Sequence, residues 1–154
     1  MKSLLAIDLG VKTGLALFND SGRLVWYRSH NYGNKRRLKS NIPEIFHSIP
    51  DLSIICIEGG GPIADLWKSM AVRHQLETYQ VFAEEWRKEL FYEREILNGE
   101  MAKQNAIDMA RKVVVWSGIN KPTAMRHDTA EAILVGLWGV LKAGWLNNLP
   151  HEIR

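Results

Sequence analysis

The order of the apolar segments along the chain is the feature that most constrains its fold. Three strand-like segments come first, and they occupy 4–9, 14–18 and 23–29. A polar turn at 19–22 separates the second segment from the third. Connections this short join strands that run antiparallel to each other. The first part of the chain therefore predicts an antiparallel meander of three strands.

Helical and strand-like patterns alternate after this meander. The predicted order is a helix within 35–49, a strand at 52–57, a helix at 64–79, a short strand at 79–83, and helices at 101–116 and 128–143. Because proline lacks a backbone N–H, Pro43 predicts that the first of these helices begins or breaks there. The charged segment 84–99 fits neither pattern. We predict an α/β fold, with a mixed five-stranded sheet flanked by helices, in one domain that spans 1–154.

The size and composition of the chain exclude several classes of protein. Its 154 residues fit one domain of ordinary size. The single cysteine, Cys56, excludes an intrachain disulfide framework and a cysteine-based zinc cluster. The formal net charge of +3 permits a nucleic-acid partner without requiring one. No apolar stretch is long enough for a membrane span or a signal peptide, so we expect a protein of the cytoplasm, an organelle matrix or a phage-infected cell.

Four acidic residues stand at the ends of otherwise apolar segments. Asp8 ends the first strand, and Glu58 ends the strand at 52–57. Asp128 and Glu131 open the last helix, where a spacing of three residues places them on one face. Burial of these carboxylates is costly unless positive charge offsets it, and Mg²⁺ or Mn²⁺ prefers such oxygen ligands. The pattern predicts a site for two divalent ions that hydrolyses a phosphodiester.

Each of these acids also has a purely structural interpretation. Asp8 precedes Gly10 and is compatible with a simple turn, and Glu58 precedes three glycines and is compatible with a solvated strand end. Asp128 could serve as a helix N-cap, with Glu131 completing a capping box. The joint occurrence of two strand-end acids and a helix-start pair favours the metal site.

The segments around these acids are similar to the motifs of a known nuclease family. Residues 6–17, around Asp8, resemble the first motif of the RuvC-type Holliday junction resolvases, which belong to the ribonuclease H-like superfamily. Residues 54–58 resemble the second motif, and residues 128–134 resemble the C-terminal motif. The resemblance implies a ribonuclease H-like fold and a homodimeric endonuclease that depends on Mg²⁺ or Mn²⁺ and cuts four-way DNA junctions.

The same resemblance assigns roles to individual residues. It implies that Asp8, Glu58, Asp128 and Glu131 are the metal-binding and catalytic acids. Lys103 resembles a basic residue that the family places near the scissile phosphate. The sequence departs from the family pattern at Glu131, where aspartate is usual, and after Glu58, where glycines replace a Glu-Gln segment. These departures indicate a divergent branch, in which His127 could supplement an acid.

Basic residues outside the acidic positions predict the DNA-binding surface. Cations neutralise backbone phosphates, and glycine lets the DNA backbone approach the main chain closely. The residues predicted to contact DNA are Lys12, Lys35, Arg36, Arg37, Lys39, Gly60, Lys68, Arg73, Arg87 and Lys88.

Three other functions compete with the junction nuclease. One is a related ribonuclease H-like nuclease of the YqgF type that acts on RNA, although its Asp-Glu-Arg-x-Thr segment is absent from this sequence. Another is a junction-binding relative without catalytic activity, which the substitution at Glu131 would favour. The third is a sugar-kinase-like phosphate binder, which needs a second lobe that 154 residues cannot supply, so we expect no nucleotide cofactor.

Overall fold

A mixed sheet of five strands forms the centre of the molecule. The computed structural model describes residues 1–120 and 125–154. The strands are β1 (Ser3–Asp8), β2 (Lys12–Asn19), β3 (Leu24–Asn31), β4 (Leu52–Glu58) and β5 (Glu77–Val81). They lie in the order β3-β2-β1-β4-β5. The first three pair antiparallel, whereas β4 pairs parallel with both β1 and β5. The predicted five-stranded mixed sheet is therefore confirmed.

Helices cover both faces of this sheet. They are α1 (Lys35–His47), α2 (Pro62–Arg73), α3 (Ala83–Leu90), α4 (Gly99–Trp116) and α5 (His127–Lys142), and a short 3₁₀ helix occupies Glu93–Glu95. Alternate residues of β1 point to opposite faces. Leu5 and Ile7 pack with α1 and α2, whereas Leu4 and Ala6 pack with α3, α4 and α5. None of the helices within 1–120 and 125–154 is long and apolar enough to cross a membrane.

The first helix differs from the sequence-based prediction. α1 begins at Lys35 and continues through Pro43 to His47, so the prediction of a start or break at the proline is wrong. The side chain of Asn34 accepts a hydrogen bond from the backbone N–H of Arg37 and caps the helix nine residues before the proline. Four buried apolar side chains also anchor α1, and together these contacts outweigh the one hydrogen bond that proline removes. The basic residues from Lys35 onwards therefore lie in its first turns.

The segments around β5 also differ from their predicted bounds. α2 ends at Arg73 rather than near Tyr79, because the chain turns at Gln75, which has a positive φ of 58°. β5 is confirmed as a strand but lies two residues earlier than predicted, at Glu77–Val81. The charged segment that gave no clear pattern contains α3, which buries only Trp86 and Leu90. Two buried positions are not enough to reveal a helical period in the sequence.

α5 lies directly against the sheet because glycines remove the side chains that would separate them. A Cβ atom at Gly136 would clash with the ring of Phe18 on β2, and one at Gly139 would approach Leu4 on β1. At the other end of the contact, a Cβ atom at Gly14 would clash with the backbone carbonyl of Asp128. The close approach fixes the first turn of α5 beside the ends of β1 and β4.

Candidate active site

One row of residues across the sheet positions the strand-end acids. In the register of the sheet, Asp8 is opposite Glu58 on one side and Gly14 on the other. Residues in register on neighbouring strands point to the same face and lie about 5 Å apart. Both carboxylates therefore project from the face that α5 covers, as the sequence predicts for residues that end parallel neighbouring strands.

Asp128 reaches this row from the first turn of α5. Its backbone carbonyl lies over Gly14, and its carboxylate accepts a hydrogen bond from the hydroxyl of Ser29. Ser29 is opposite Gly14 in the register of β2 and β3, so it extends the row that contains Asp8. Sequence reasoning missed Ser29, because its role depends on the register of two strands rather than on any local motif.

Glu131 is one turn further along α5 and is nearly completely buried. Its Oε1 atom accepts a hydrogen bond from Arg87 Nη2 at 2.9 Å and lies 3.0 Å from His127 Nε2. Its Oε2 atom is buried and has no hydrogen-bond partner among the described residues. Glu131 therefore neither completes a capping box nor faces solvent, because its carboxylate points into the protein and lies beside basic side chains.

The electrostatics of the cluster show that positive charge among the described residues compensates its carboxylates only in part. Burial, together with the charges of Glu58, Glu131 and Asp128, raises the pKa of Asp8 from its ordinary value to about 8. Burial also raises the pKa values of Glu58 and Glu131. Arg87 opposes both of these shifts. Carboxylates whose pKa values are raised by burial and that converge at one place are typical of a functional site.

Lys103 and His127 complete the surroundings of Glu131. Lys103 is exposed on α4, yet its charge lowers the pKa values of both Glu131 and His127. Burial is the larger cause of the low pKa of His127, and Arg87 adds to it. The low pKa favours the neutral form of the imidazole, whose Nε2 atom lies 3.0 Å from Glu131 Oε1. Both residues therefore lie near the acidic cluster.

The cluster offers the donor chemistry of a magnesium or manganese site. As they stand, no three acidic, histidine or cysteine side chains within 1–120 and 125–154 are arranged to hold a metal ion. However, four carboxylates converge there, and the raised pKa of Asp8 indicates that positive charge is missing beside it. The available donors are carboxylate oxygens, which Mg²⁺ and Mn²⁺ prefer. The residues therefore fit a divalent cation.

Most of the predicted DNA-binding residues lie at the edge of the sheet where the acids are. β1, β3 and β4 run in the same direction, so α1, which follows β3, and α2, which follows β4, both begin at that edge. The residues at this edge are Lys12 at the start of β2, Lys35, Arg36, Arg37 and Lys39 in α1, and Gly60 before α2. Gly60 is exposed between Gly59 and Gly61, which both have positive φ.

Four predicted DNA contacts have different surroundings. Lys68 is half-buried in the middle of α2, and Arg73 lies at its far end, about 16 Å from its start at 1.5 Å per residue. The structure therefore separates Arg73 from the acids. Lys88 is exposed and pairs with Glu84 at 3.2 Å. Arg87 is largely buried and forms the ion pair with Glu131.

Comparisons with known proteins identify the fold. No family model matches the sequence, and no curated protein matches it. Among solved structures, the chain is similar to the crystal structure of the yeast mitochondrial Holliday junction resolvase Ydc2, with a TM-score of 0.55 and 12% sequence identity. The similarity covers 92% of this chain and 81% of that chain. The two proteins share a fold. The predicted α/β fold, with a mixed five-stranded sheet flanked by helices, is thereby confirmed.

Proposed function

We propose that this protein is a metal-dependent endonuclease that cuts four-way DNA junctions by phosphodiester hydrolysis. The observation that carries the proposal is the convergence of Asp8, Glu58, Asp128 and Glu131 at one end of this sheet. These are the positions at which three separate sequence motifs resemble those of junction resolvases. The similarity of the fold to that of a resolvase supports the same conclusion.

The acidic residues are proposed to bind the metal and to position the reacting groups. Asp8, Glu58 and Asp128 would hold Mg²⁺ or Mn²⁺, and Glu131 completes the set of four carboxylates. When bound, the metal would supply a Lewis acid that activates water and neutralises charge on the phosphate. Ser29 keeps the Asp128 carboxylate in one orientation through its hydrogen bond. Asp8 must lose its proton before it can serve as a ligand, because its raised pKa keeps it protonated at neutral pH.

Lys103 and His127 are proposed to act on the phosphate side of the site. Lys103 is exposed and close enough to influence Glu131, so its ammonium group can approach a phosphate oxygen and stabilise the charge that develops there. His127 is partly exposed, and its Nε2 atom lies 3.0 Å from Glu131 Oε1.

The DNA is proposed to lie across the edge where the basic residues of α1 meet the acidic cluster. These cations would neutralise phosphates on either side of the cut, and Gly60 would let the backbone approach the end of β4. We further propose that the protein acts as a homodimer, because two symmetric cuts in a junction require two active sites. Light scattering of the protein should then give twice the chain mass of 17.6 kDa.

A cleavage assay on matched nucleic acids tests the proposal. A synthetic four-way DNA junction is incubated with Mg²⁺ or Mn²⁺ beside duplex DNA, flapped DNA and RNA of the same sequences, and products are resolved on a denaturing gel. We expect cuts in the junction with 5′-phosphate and 3′-hydroxyl ends. Asp8→Asn should abolish cleavage and leave junction binding intact in a gel-shift assay.

The alternatives predict different outcomes of the same assay. Preferential cleavage of RNA would refute junction specificity and favour an RNA-directed nuclease. Junction binding without cleavage in either metal would favour a non-catalytic relative. Cleavage by Asp8→Asn at the wild-type rate would contradict the assignment of the site itself.

A further inference from the structure

Glu131 and Arg87 form the most buried ion pair of the candidate site. The Glu131 side chain is only 6% exposed, and it receives the guanidinium of Arg87 at 2.9 Å. The same oxygen lies 3.0 Å from His127 Nε2. With two nitrogen atoms already this close to Oε1, the carboxylate has only its Oε2 atom left for another ligand. Glu131 therefore differs from the other three acids, which have no cationic side chain hydrogen-bonded to them among the described residues.

Contacts other than the ion pair also restrain Arg87. Its guanidinium lies near the ring of the buried Trp86, with the central carbon 5.3 Å from the ring centroid. Its Nε atom is buried, and its side chain is 24% exposed. Its charge lowers the pKa values of Glu58 on β4 and of Glu131 on α5. Arg87 is thus a cation held against Glu131 at the acidic cluster.

The balance of charge indicates how many metal ions the cluster needs. Four carboxylates carry four negative charges when ionised, which two divalent cations would neutralise. Arg87 and Lys103 both act on Glu131 and already supply two positive charges. The remaining two negative charges match one divalent cation.

We propose that the Arg87 guanidinium takes the place of one metal ion in this four-carboxylate site. Arg87 holds Glu131, and a single Mg²⁺ or Mn²⁺ binds to Asp8, Glu58 and Asp128. Glu131 is then a positioning residue for Arg87 and His127 rather than a metal ligand. This inference rests on the proposed metal-dependent function and replaces the two-ion site expected from the sequence with a site for one ion.

The number of bound ions distinguishes the two arrangements directly. Mn²⁺ alone is titrated into the wild-type protein at pH 8.5, and free Mn²⁺ is measured by electron paramagnetic resonance. We expect one equivalent per chain for the wild type and for Glu131→Gln. Asp8→Asn should lose that equivalent. Arg87→Ala should bind two equivalents, because it releases the Glu131 carboxylate, whereas Arg87→Lys should retain one.

Matched variants separate loss of the cation from loss of folding. Arg94→Ala removes the same charge from an arginine that also lies near an aromatic ring, that of Tyr92, and should bind one equivalent like the wild type. Circular dichroism checks that each variant is folded, and Arg87→Ala/Glu131→Gln should return to one equivalent. This double variant identifies Glu131 as the source of the second site.

Two results would overturn the inference. Two equivalents in the wild type that fall to one in Glu131→Gln would show that Glu131 binds metal despite Arg87. A single equivalent in folded Arg87→Ala would show that the guanidinium excludes no ion. In both cases the metal-dependent function would stand, whereas absence of Mn²⁺ binding by the wild type would refute the proposed function together with the inference.

Discussion

Asp8 bears the largest electrostatic cost of any carboxylate in the cluster. Its ordinary pKa of 3.8 rises to about 8 in the folded protein, mainly through burial. Between these values the folded state keeps a proton that the unfolded state releases, so this group contributes stability at low pH that is lost as the pH rises towards 8. A side chain that cannot ionise avoids the loss.

Asp8→Asn should therefore stabilise the protein while it abolishes cleavage. In urea denaturation without divalent metal, we expect its free energy of unfolding to exceed that of the wild type by roughly 2–4 kcal/mol at pH 8 and by much less at pH 4. Asp108→Asn changes an exposed aspartate on α4 and should show no such pH-dependent gain. Equal stabilities of Asp8→Asn and the wild type at both pH values would contradict the burial of this charge.

Ser29 is predicted to matter through the orientation of Asp128. Ser29→Ala removes the hydroxyl that donates to this carboxylate, and a hydrogen bond to a charged group contributes about 1.5–3 kcal/mol. We expect junction cleavage to fall about 10-fold or more and junction binding to stay unchanged. Ser69→Ala, at an exposed position of α2, serves as the control. Full activity of Ser29→Ala would show that the helix alone orients Asp128.

The acids of the site were predictable from sequence, but two of their hydrogen-bond partners were not. Asp8 and Glu58 end apolar strands, so their position follows from the strand pattern and the direction of β1 and β4. Ser29 and Arg87 reach the site from an edge strand and from a helix with a weak pattern. Their roles depend on strand register and on where α3 packs, which are tertiary properties that no local motif encodes.

At the scale of elements, the contact between α5 and the sheet holds the two halves of the site together. Asp8 belongs to β1, whereas Asp128 and Glu131 belong to α5, and Gly14 is the point where the helix meets β2. Gly14→Ala would place a Cβ atom against the carbonyl of Asp128. Because both groups belong to the backbone, β2 and α5 can make room for this atom only if the first turn of α5 is displaced.

We expect Gly14→Ala to lower both stability and activity. Overpacking of this kind costs about 1–3 kcal/mol, which urea denaturation would detect, and the displaced carboxylates should reduce cleavage at least 10-fold. Gly99→Ala is the matched control, because an added Cβ atom there has no neighbour within 4 Å. Unchanged cleavage by Gly14→Ala would mean that the site tolerates movement of α5.

The elements themselves were predictable in proportion to how much apolar surface they bury. α4 and α5 bury many residues at helical spacing, so their positions were predicted to within two residues. α3 buries two side chains and was not recognised. The start of α1 was predicted wrongly although the helix buries an apolar face. The prediction gave the effect of Pro43 more weight than the cap at Asn34 and this buried face.

At the scale of the whole molecule, the direction of the strands concentrates opposite charges at one edge of the sheet. The helices that follow β3, β4 and β5 all begin at the edge where β1 and β4 end, and α5 also begins there. Backbone N–H groups and the positive ends of helix dipoles therefore face this edge. The acidic cluster lies on one face of it and the basic first turns of α1 on the other, so the net charge of +3 conceals a strongly uneven distribution.

This distribution predicts which cations control junction binding. In a gel-shift titration, Lys35→Gln/Arg36→Gln should weaken binding and lower the slope of log affinity against log salt concentration by about 1 for each phosphate contact that is lost. The control Lys112→Gln/Lys142→Gln removes the same charge from exposed positions of α4 and α5. Lys142 lies at the end of α5 that is distant from the acids. Equal salt slopes for the two double variants would mean that DNA is attracted by the total charge of the protein and not by the edge where α1 begins.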